Sequence, residues 1–176
     1  MKSPRRALTA RELETLLVRA TFATACASAL ACLVGSHLLW NWTPSLPLGL
    51  YWISGGAERP SRGDLVAFPV PQAVRELVEQ RRYLPPDALL VKPIVAGEDD
   101  RVCTEGGTLT VNGVPFGAIA TEDTHGRPLP HPDVCGPLPT GLLYVASRCP
   151  TSFDSRSFGA VPVGAIRGRV TPLWTY

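Results

Sequence analysis

The stretch Ala20–Trp40, ATFATACASALACLVGSHLLW, runs for 21 residues without a Lys, Arg, Asp or Glu. As a helix rising about 1.5 Å per residue it spans the ~30 Å apolar core of a bilayer. Small and apolar side chains run all the way round it, whereas a helix packed on a soluble core keeps one polar face. Before it stand Lys2, Arg5, Arg6, Arg11 and Arg19 against Glu12 and Glu14, a balance of +3, and after it come Trp40 and Trp42. By the positive-inside rule, residues 1–19 form a cytoplasmic basic N-terminus, 20–40 a transmembrane anchor and 41–176 a domain on the far side. Ala27-Ser28-Ala29 also fits the small-x-small pattern of a cleaved signal peptide, although the length favours retention as an anchor. Both readings export the rest of the chain.

Outside the first 19 residues, 12 basic and 13 acidic side chains nearly cancel, so the net charge of +2 belongs to the N-terminus. A basic face able to grip nucleic acid is therefore not expected. Eighteen Pro and 16 Gly among 176 residues argue against a helical bundle, while 45% hydrophobic residues suffice for a core. Cys26 and Cys32 lie in the apolar segment; Cys103, Cys135 and Cys149 lie in the exported part, an oxidising compartment in a bacterium. Three thiols allow one disulfide, and spacing leaves the pair open. With no CxxC and no ligand spacing among His37, His125 and His131, neither a metal nor a cofactor is expected.

The exported part reads as mainly β. Runs rich in Val, Ile, Leu and aromatics at 49–53, 65–70, 89–95, 109–111, 142–146 and 165–171 alternate with Gly, Pro, Asn and Asp signals. Asn112-Gly113 predicts a tight hairpin. Residues 71–83, PQAVRELVEQRRY, predict the one soluble helix, opened near Pro71 and stopped by Pro85-Pro86. Residues 121–140, with five Pro, predict an extended loop.

Two residues stand out chemically. Ser45 lies between Pro44 and Pro47, whose fixed φ would hold it in one orientation, although such a serine is more often a plain turn residue. Lys92, the only lysine after Lys2, interrupts the apolar run LLVKPIV. Buried there it would lose its charge and become a base near neutral pH; on an edge strand it would simply face solvent.

Four ordered segments resemble the signal peptidase I superfamily of Ser/Lys proteases, and its TraF-type branch from conjugative transfer systems. They are 43–51 (TPSLPLGLY), 63–68 (GDLVAF), 91–99 (VKPIVAGED) and 152–162 (SFDSRSFGAVP). The resemblance covers most of residues 41–173. It implies a signal-peptidase-like antiparallel β domain with one short helix, behind a single transmembrane helix. Ser45 would be the nucleophile, Lys92 its base, Thr43 an oxyanion donor and Ser152 the residue that orients the lysine amine. Asp154 and Arg156 match a pair near the catalytic centre, with an ion pair that merely staples the last segment as the alternative. Gly-Leu-Tyr after the serine box, the short chain and 126–130 (GRPLP) resemble the TraF type, while Ala96-Gly97-Glu98-Asp99 is one residue longer than the turn of general signal peptidases. Cys103 and Cys135 resemble a pair seen in this branch, which would leave Cys149 free.

The resemblance thus implies a serine endopeptidase anchored in a bacterial inner membrane with its catalytic domain in the periplasm. Its partner would be a membrane-tethered precursor, a conjugative pro-pilin, cleaved and in some members of the branch joined head to tail. A general signal peptidase acting on many precursors, or an anchored non-catalytic assembly subunit, are the alternatives.

Overall fold

The computed structural model describes residues 9–56 and 60–176. Lys2, Arg5 and Arg6, three of the charges used to orient the anchor, lie outside the described residues. The chain divides into two compact units, 1–38 and 39–176.

In the first unit, helix α1 spans Ala10–Gly35, 26 residues with no buried side chain. Its best 18-residue window has a mean hydropathy of 1.8, so it is long and apolar enough to cross a membrane. Thr9 opens it with a capping box: Thr9 Oγ1 accepts the Glu12 amide, and Glu12 accepts the Thr9 amide. The hydroxyls of Thr15, Thr21 and Thr24 donate to carbonyls one turn back, so none of them needs water. The helix is displaced from the charge-free run. It begins at Ala10 because the capping box lies there, and after Gly35 the chain turns and enters a strand that includes Leu38–Trp40.

The second unit is antiparallel β. A seven-stranded sheet has the order β1 (Leu38–Asn41), β2 (Gly49–Gly55), β11 (Gly168–Thr175), β3 (Leu65–Pro69), β4 (Leu89–Ala96), β9 (Leu142–Val145), β10 (Val161–Pro162). A four-stranded sheet has the order β7 (Val114–Ala118), β6 (Thr108–Val111), β5 (Arg101–Cys103), β8 (Cys135–Pro137). Helix α2 (Gln72–Arg81) follows β3, and the single turn α3 (Ser155–Phe158) precedes β10. The long apolar runs become strands, and α2 buries Val74 and Val78. Asn112 and Gly113 both take positive φ, 52° and 78°, closing the β6–β7 hairpin. The last strand differs from expectation: Val163–Ala165 form a 3₁₀ turn, and β11 starts at Gly168 and continues through Pro172, where its register against β2 shifts.

Pairing explains the core. Val66 lies opposite Lys92, and Phe68 opposite Leu90, across β3 and β4. Val66, Phe68, Leu90, Ile94, Val145 and Phe158 form one buried cluster. A second joins Val95, Ala96 and Tyr144 to Val102, Leu109 and Val111, bonding the two sheets. A third sets Tyr51, Ala67, Val91 and Val170 under Leu46. The segment expected as a loop is tied down by Asp123, which takes Arg127, Arg81 and the Tyr83 hydroxyl. Within it, Cys135 begins β8, directly opposite Cys103 of β5, and the two are disulfide-bonded; Cys149 is free.

Two glycines are dictated by close backbone approach. A Cβ on Gly49, whose φ is +140°, would lie 2.1 Å from Trp174 O, and one on Gly168 would lie 2.2 Å from Ser54 O. We expect Gly168→Ala to destabilise the domain by at least about 2 kcal/mol in denaturant unfolding, because backbone, not a flexible side chain, must move. A cost below about 0.5 kcal/mol would mean that β2 and β11 lie further apart than described. The disulfide closes a sequence separation of 32 residues. Chain entropy then predicts a loss of about 3–4 kcal/mol in Cys103→Ser/Cys135→Ser. Non-reducing peptide mapping should recover a Cys103–Cys135 peptide with Cys149 open to alkylation; a bridged Cys149 would contradict the pairing.

Candidate active site

The loop from Trp42 to Leu48, between β1 and β2, carries Ser45. Tyr51, fully buried at the start of β2, donates its hydroxyl to the Pro47 carbonyl at 2.6 Å, fastening the loop from below. Burial pushes the Tyr51 phenol up, so it stays a donor throughout the physiological range. Thr43 Oγ1 lies 3.3 Å from Ser45 Oγ.

Lys92 comes from β4, an interior strand with β3 on one side and β9 on the other. Side chains alternate along a strand, so Lys92 shares a face with Leu90 and Ile94, both in the main core cluster. That is why an aliphatic stem can be accommodated and why its ammonium loses water. The side chain is 4% exposed, with Nζ 2.7 Å from Ser45 Oγ and 3.0 Å from Ser152 Oγ. Burial lowers its pKa from 10.5 to about 8; the Asp154 carboxylate and Cys149 pull it back up, and Arg156 pushes it further down. The edge-strand reading of this lysine is therefore excluded.

Ser152 reaches Lys92 from the turn after β9, where its amide bonds the Cys149 carbonyl. Asp154 and Arg156 follow it and are both buried. The carboxylate accepts Arg156 Nε at 2.9 Å and Nη2 at 2.8 Å, together with the Ser147 amide at 3.1 Å. The guanidinium also donates to the carbonyls of Ala118, Ser147 and Cys149. Among the described residues neither side chain bonds Ser45 or Lys92. The pair stitches the 147–149 turn to the smaller sheet, and so holds the segment that presents Ser152, while its charges act on Lys92 in opposite senses.

Ser45, Thr43, Lys92 and Ser152 therefore converge, Asp154 and Arg156 stand one layer behind them, and Cys103 and Cys135 belong to the smaller sheet. A cavity of about 550 Å³ opens on Ser45, walled by Pro44, Leu46, Leu48, Arg148, Cys149 and Tyr176. The larger groove, about 970 Å³ along α2 and residues 85–89, contains none of the candidate residues. Cys149 was not anticipated at the cavity wall; its hydrogen bond with Thr151, and beyond it Lys92 and Arg156, hold its thiol below the usual range against burial. Asn41 was missed altogether. Its side chain bonds Thr43, Leu46 and Pro47, an Asx-type signal visible as Asn41-Trp42-Thr43 ahead of the prolines. No group of three or more His, Cys, Asp or Glu able to hold a metal occurs among the described residues.

The model of the family described as signal peptidase, peptidase S26, matches residues 11–174. A probable conjugal transfer protein TraF of Sinorhizobium fredii is 38% identical over 147 residues, covering 77% of this chain and 76% of that protein. A conjugal transfer protein TraF of Agrobacterium fabrum is 31% identical, covering 82% and 85%, and a plasmid transfer protein TraF of Escherichia coli is 33% identical, covering 77% and 82%. A solved structure of a signal peptidase I from Enterococcus faecalis is similar with a TM-score of 0.41 at 22% identity, covering 66% of this chain and 100% of that one. With a family match over nearly its whole length and relatives above 30% identity along most of their own, the chain belongs to the signal peptidase family, peptidase S26.

Proposed function

We propose that this protein is a membrane-anchored serine endopeptidase in which Ser45 is the nucleophile and Lys92 the general base. The observation that carries the reading is the 2.7 Å approach of Ser45 Oγ to an amine that is 4% exposed. With its pKa at about 8, about a tenth of Lys92 is neutral at pH 7, against about 0.04% for a solvated lysine of pKa ~10.4. The neutral amine accepts the Ser45 proton as Oγ attacks the scissile carbonyl, and an N–H directed to Ser152 fixes its lone pair on Ser45. The Ser45 amide, which has no hydrogen-bond partner among the described residues, and the Thr43 hydroxyl would bind the oxyanion. The lysine ammonium then returns its proton to the departing amine. An acyl-enzyme remains, and Lys92 activates the water that resolves it.

Relatives named as conjugal or plasmid transfer proteins support a role in conjugation; the substrate in this reading is a membrane-tethered pro-pilin. If the precursor's own N-terminal amine resolves the acyl-enzyme in place of water, the product is cyclic; proximity alone favours that outcome when the amine is held near the ester. The catalytic unit would sit on the periplasmic face of a bacterial inner membrane, with the N-terminus cytoplasmic. Supporting its place at a membrane surface, the exposed rings of Trp42, Trp40, Trp174 and Tyr176 form a row with successive centroids 5.2–6.0 Å apart, the kind of aromatic surface that suits a bilayer interface. A general signal peptidase uses the same chemistry and is favoured only by the family's description.

Ser45→Ala and Lys92→Ala should each abolish processing of a membrane-inserted pro-pilin; full processing by Lys92→Ala at pH 7 would exclude the dyad. The base form is the deprotonated one, so the wild-type acylation rate should rise about tenfold per pH unit below 8 and level off above it. A flat profile between pH 6 and 8 would contradict a titrating lysine. Mass spectrometry of the mature product separates the two outcomes, since a cyclic pilin is lighter than the hydrolysed one by one water.

A further inference from the structure

The two prolines around Ser45 do not by themselves fix it. They set φ at 44 and 47 and bias Thr43 and Leu46 toward extended backbone, but ψ at both prolines and both dihedrals of Ser45 stay free, and proline offers no N–H with which the loop could bond itself. Beside the Tyr51 hydroxyl on the Pro47 carbonyl, the missing bonds come from one side chain. Asn41, the last residue of β1, directs its carboxamide into the loop. Oδ1 accepts the Thr43 amide at 3.2 Å and the Thr43 hydroxyl at 3.0 Å. Nδ2 donates toward the carbonyls of Thr43, Leu46 and Pro47 at 3.0, 3.2 and 3.0 Å, two protons shared among three acceptors.

We propose that Asn41 is the positioning residue of the nucleophile: its carboxamide clamps both ends of the Thr43–Pro47 turn and, by holding the Thr43 proton, leaves the Ser45 proton to Lys92. The proposal rests on the reading of Ser45 and Lys92 as a catalytic pair. A threonine hydroxyl has one proton. While that proton is on Asn41 Oδ1, Thr43 offers Ser45 only an acceptor at 3.3 Å, and the amine at 2.7 Å is the nearer one. When negative charge develops on the substrate oxygen, the hydroxyl can turn toward it, and the Thr43 amide stays on Oδ1 to keep the turn closed. Asn41 touches no reacting atom. It acts through where it puts Ser45 and Thr43, and displacements of ~1 Å in such positions can cost about 10²-fold in rate.

The test uses the full-length protein in detergent micelles with p-nitrophenyl acetate as acyl donor. In the step measured, the acetyl C–O(aryl) bond breaks, a bond from acetyl to Ser45 Oγ forms, the serine proton passes to Lys92 and p-nitrophenolate leaves. Nitrophenolate is followed from pH 6 to 10, and peptide mass spectrometry locates the acetyl group on Ser45. Asn41→Ala should lower the high-pH plateau about 100-fold, while the midpoint of the profile stays at the wild-type value, because the burial of Lys92 does not depend on Asn41. Asn41→Asp, the same size but with no Nδ2 donor for the three carbonyls, should fall at least as far, and it carries the test if the alanine variant lacks a cooperative thermal transition. A wild-type plateau in Asn41→Asp would overturn the proposal. So would a loss accompanied by a midpoint moved up toward 10.5, since that would mean Asn41 shields Lys92 from water and does not aim Ser45. Ser45→Ala and Lys92→Ala separate the two readings. If Lys92→Ala is still acylated on Ser45 at the wild-type rate, or Ser45→Ala releases nitrophenolate as fast as wild type, the catalytic pair fails; if both are inactive and Asn41→Asp is normal, only the clamp fails.

Discussion

An amine held out of water against a hydroxyl is the constraint around which the domain is arranged. Lowering Lys92 from 10.5 to about 8 costs on the order of 3 kcal/mol of charge stabilisation, supplied by burial on the apolar face of an interior strand. A nearby carboxylate without a partner of its own would undo this by drawing the proton back. Asp154 is nearby and fully buried, but Arg156 grips it through Nε and Nη2, so the two charges act on Lys92 in opposite directions and desolvation decides the outcome. The ion pair thus serves two ends: it joins the 147–149 turn to the smaller sheet, and it lets a carboxylate stand beside a lysine whose pKa stays at about 8. Replacing only one partner would leave an uncompensated charge in the interior.

The proposed nucleophile is held in the opposite manner. Lys92 is rigid because it belongs to a sheet, whereas Ser45 sits on a loop whose shape depends on Tyr51 beneath it and Asn41 at its root. The third core cluster joins these supports, since Tyr51, Val91 and Leu46 pack together. The close approach of β2 and β11 at Gly49, with the Tyr176 amide on the Leu48 carbonyl, ties the end of the chain to the loop's exit. The cavity beside Ser45 is accordingly walled by the first and last parts of the second unit together with Arg148 and Cys149, and the exposed indoles lie on those first and last parts.

The strands with strong Val, Ile and Leu content, the helix α2 and the Asn-Gly hairpin were legible because each carries a local periodicity or a required backbone conformation. Ser45, Lys92, Thr43 and Ser152 were legible only as an ordered set of segments resembling a family; singly, Ser45 reads as a turn residue and Lys92 as a surface cation. The short strands β1, β5, β8 and β10 were not legible. Each has two to four residues, and pairing with distant partners, as in Cys103 opposite Cys135, makes them strands. The start of α1 was readable in principle, since Thr9-Ala10-Arg11-Glu12 has the capping-box pattern, but charge counting placed the boundary ten residues later. Asn41 carries a local Asx-type signal toward Thr43, but its bonds to the Leu46 and Pro47 carbonyls follow only from the folded loop. The compensation between Asp154 and Arg156 likewise depends on burial that no spacing reveals.

The central claim is that Lys92 touches Ser45 with a pKa of about 8, low enough to leave about a tenth of it neutral at pH 7. The chain contains two lysines, Lys2 and Lys92, so ¹³Cε-lysine labelling gives two resonances to follow by NMR across a pH titration. The account predicts one that titrates near the ordinary lysine value of about 10.4 and one, lost in Lys92→Arg, that titrates at about 8. Two resonances both titrating above about 10 would contradict it, because a lysine charged through the physiological range cannot take the serine's proton.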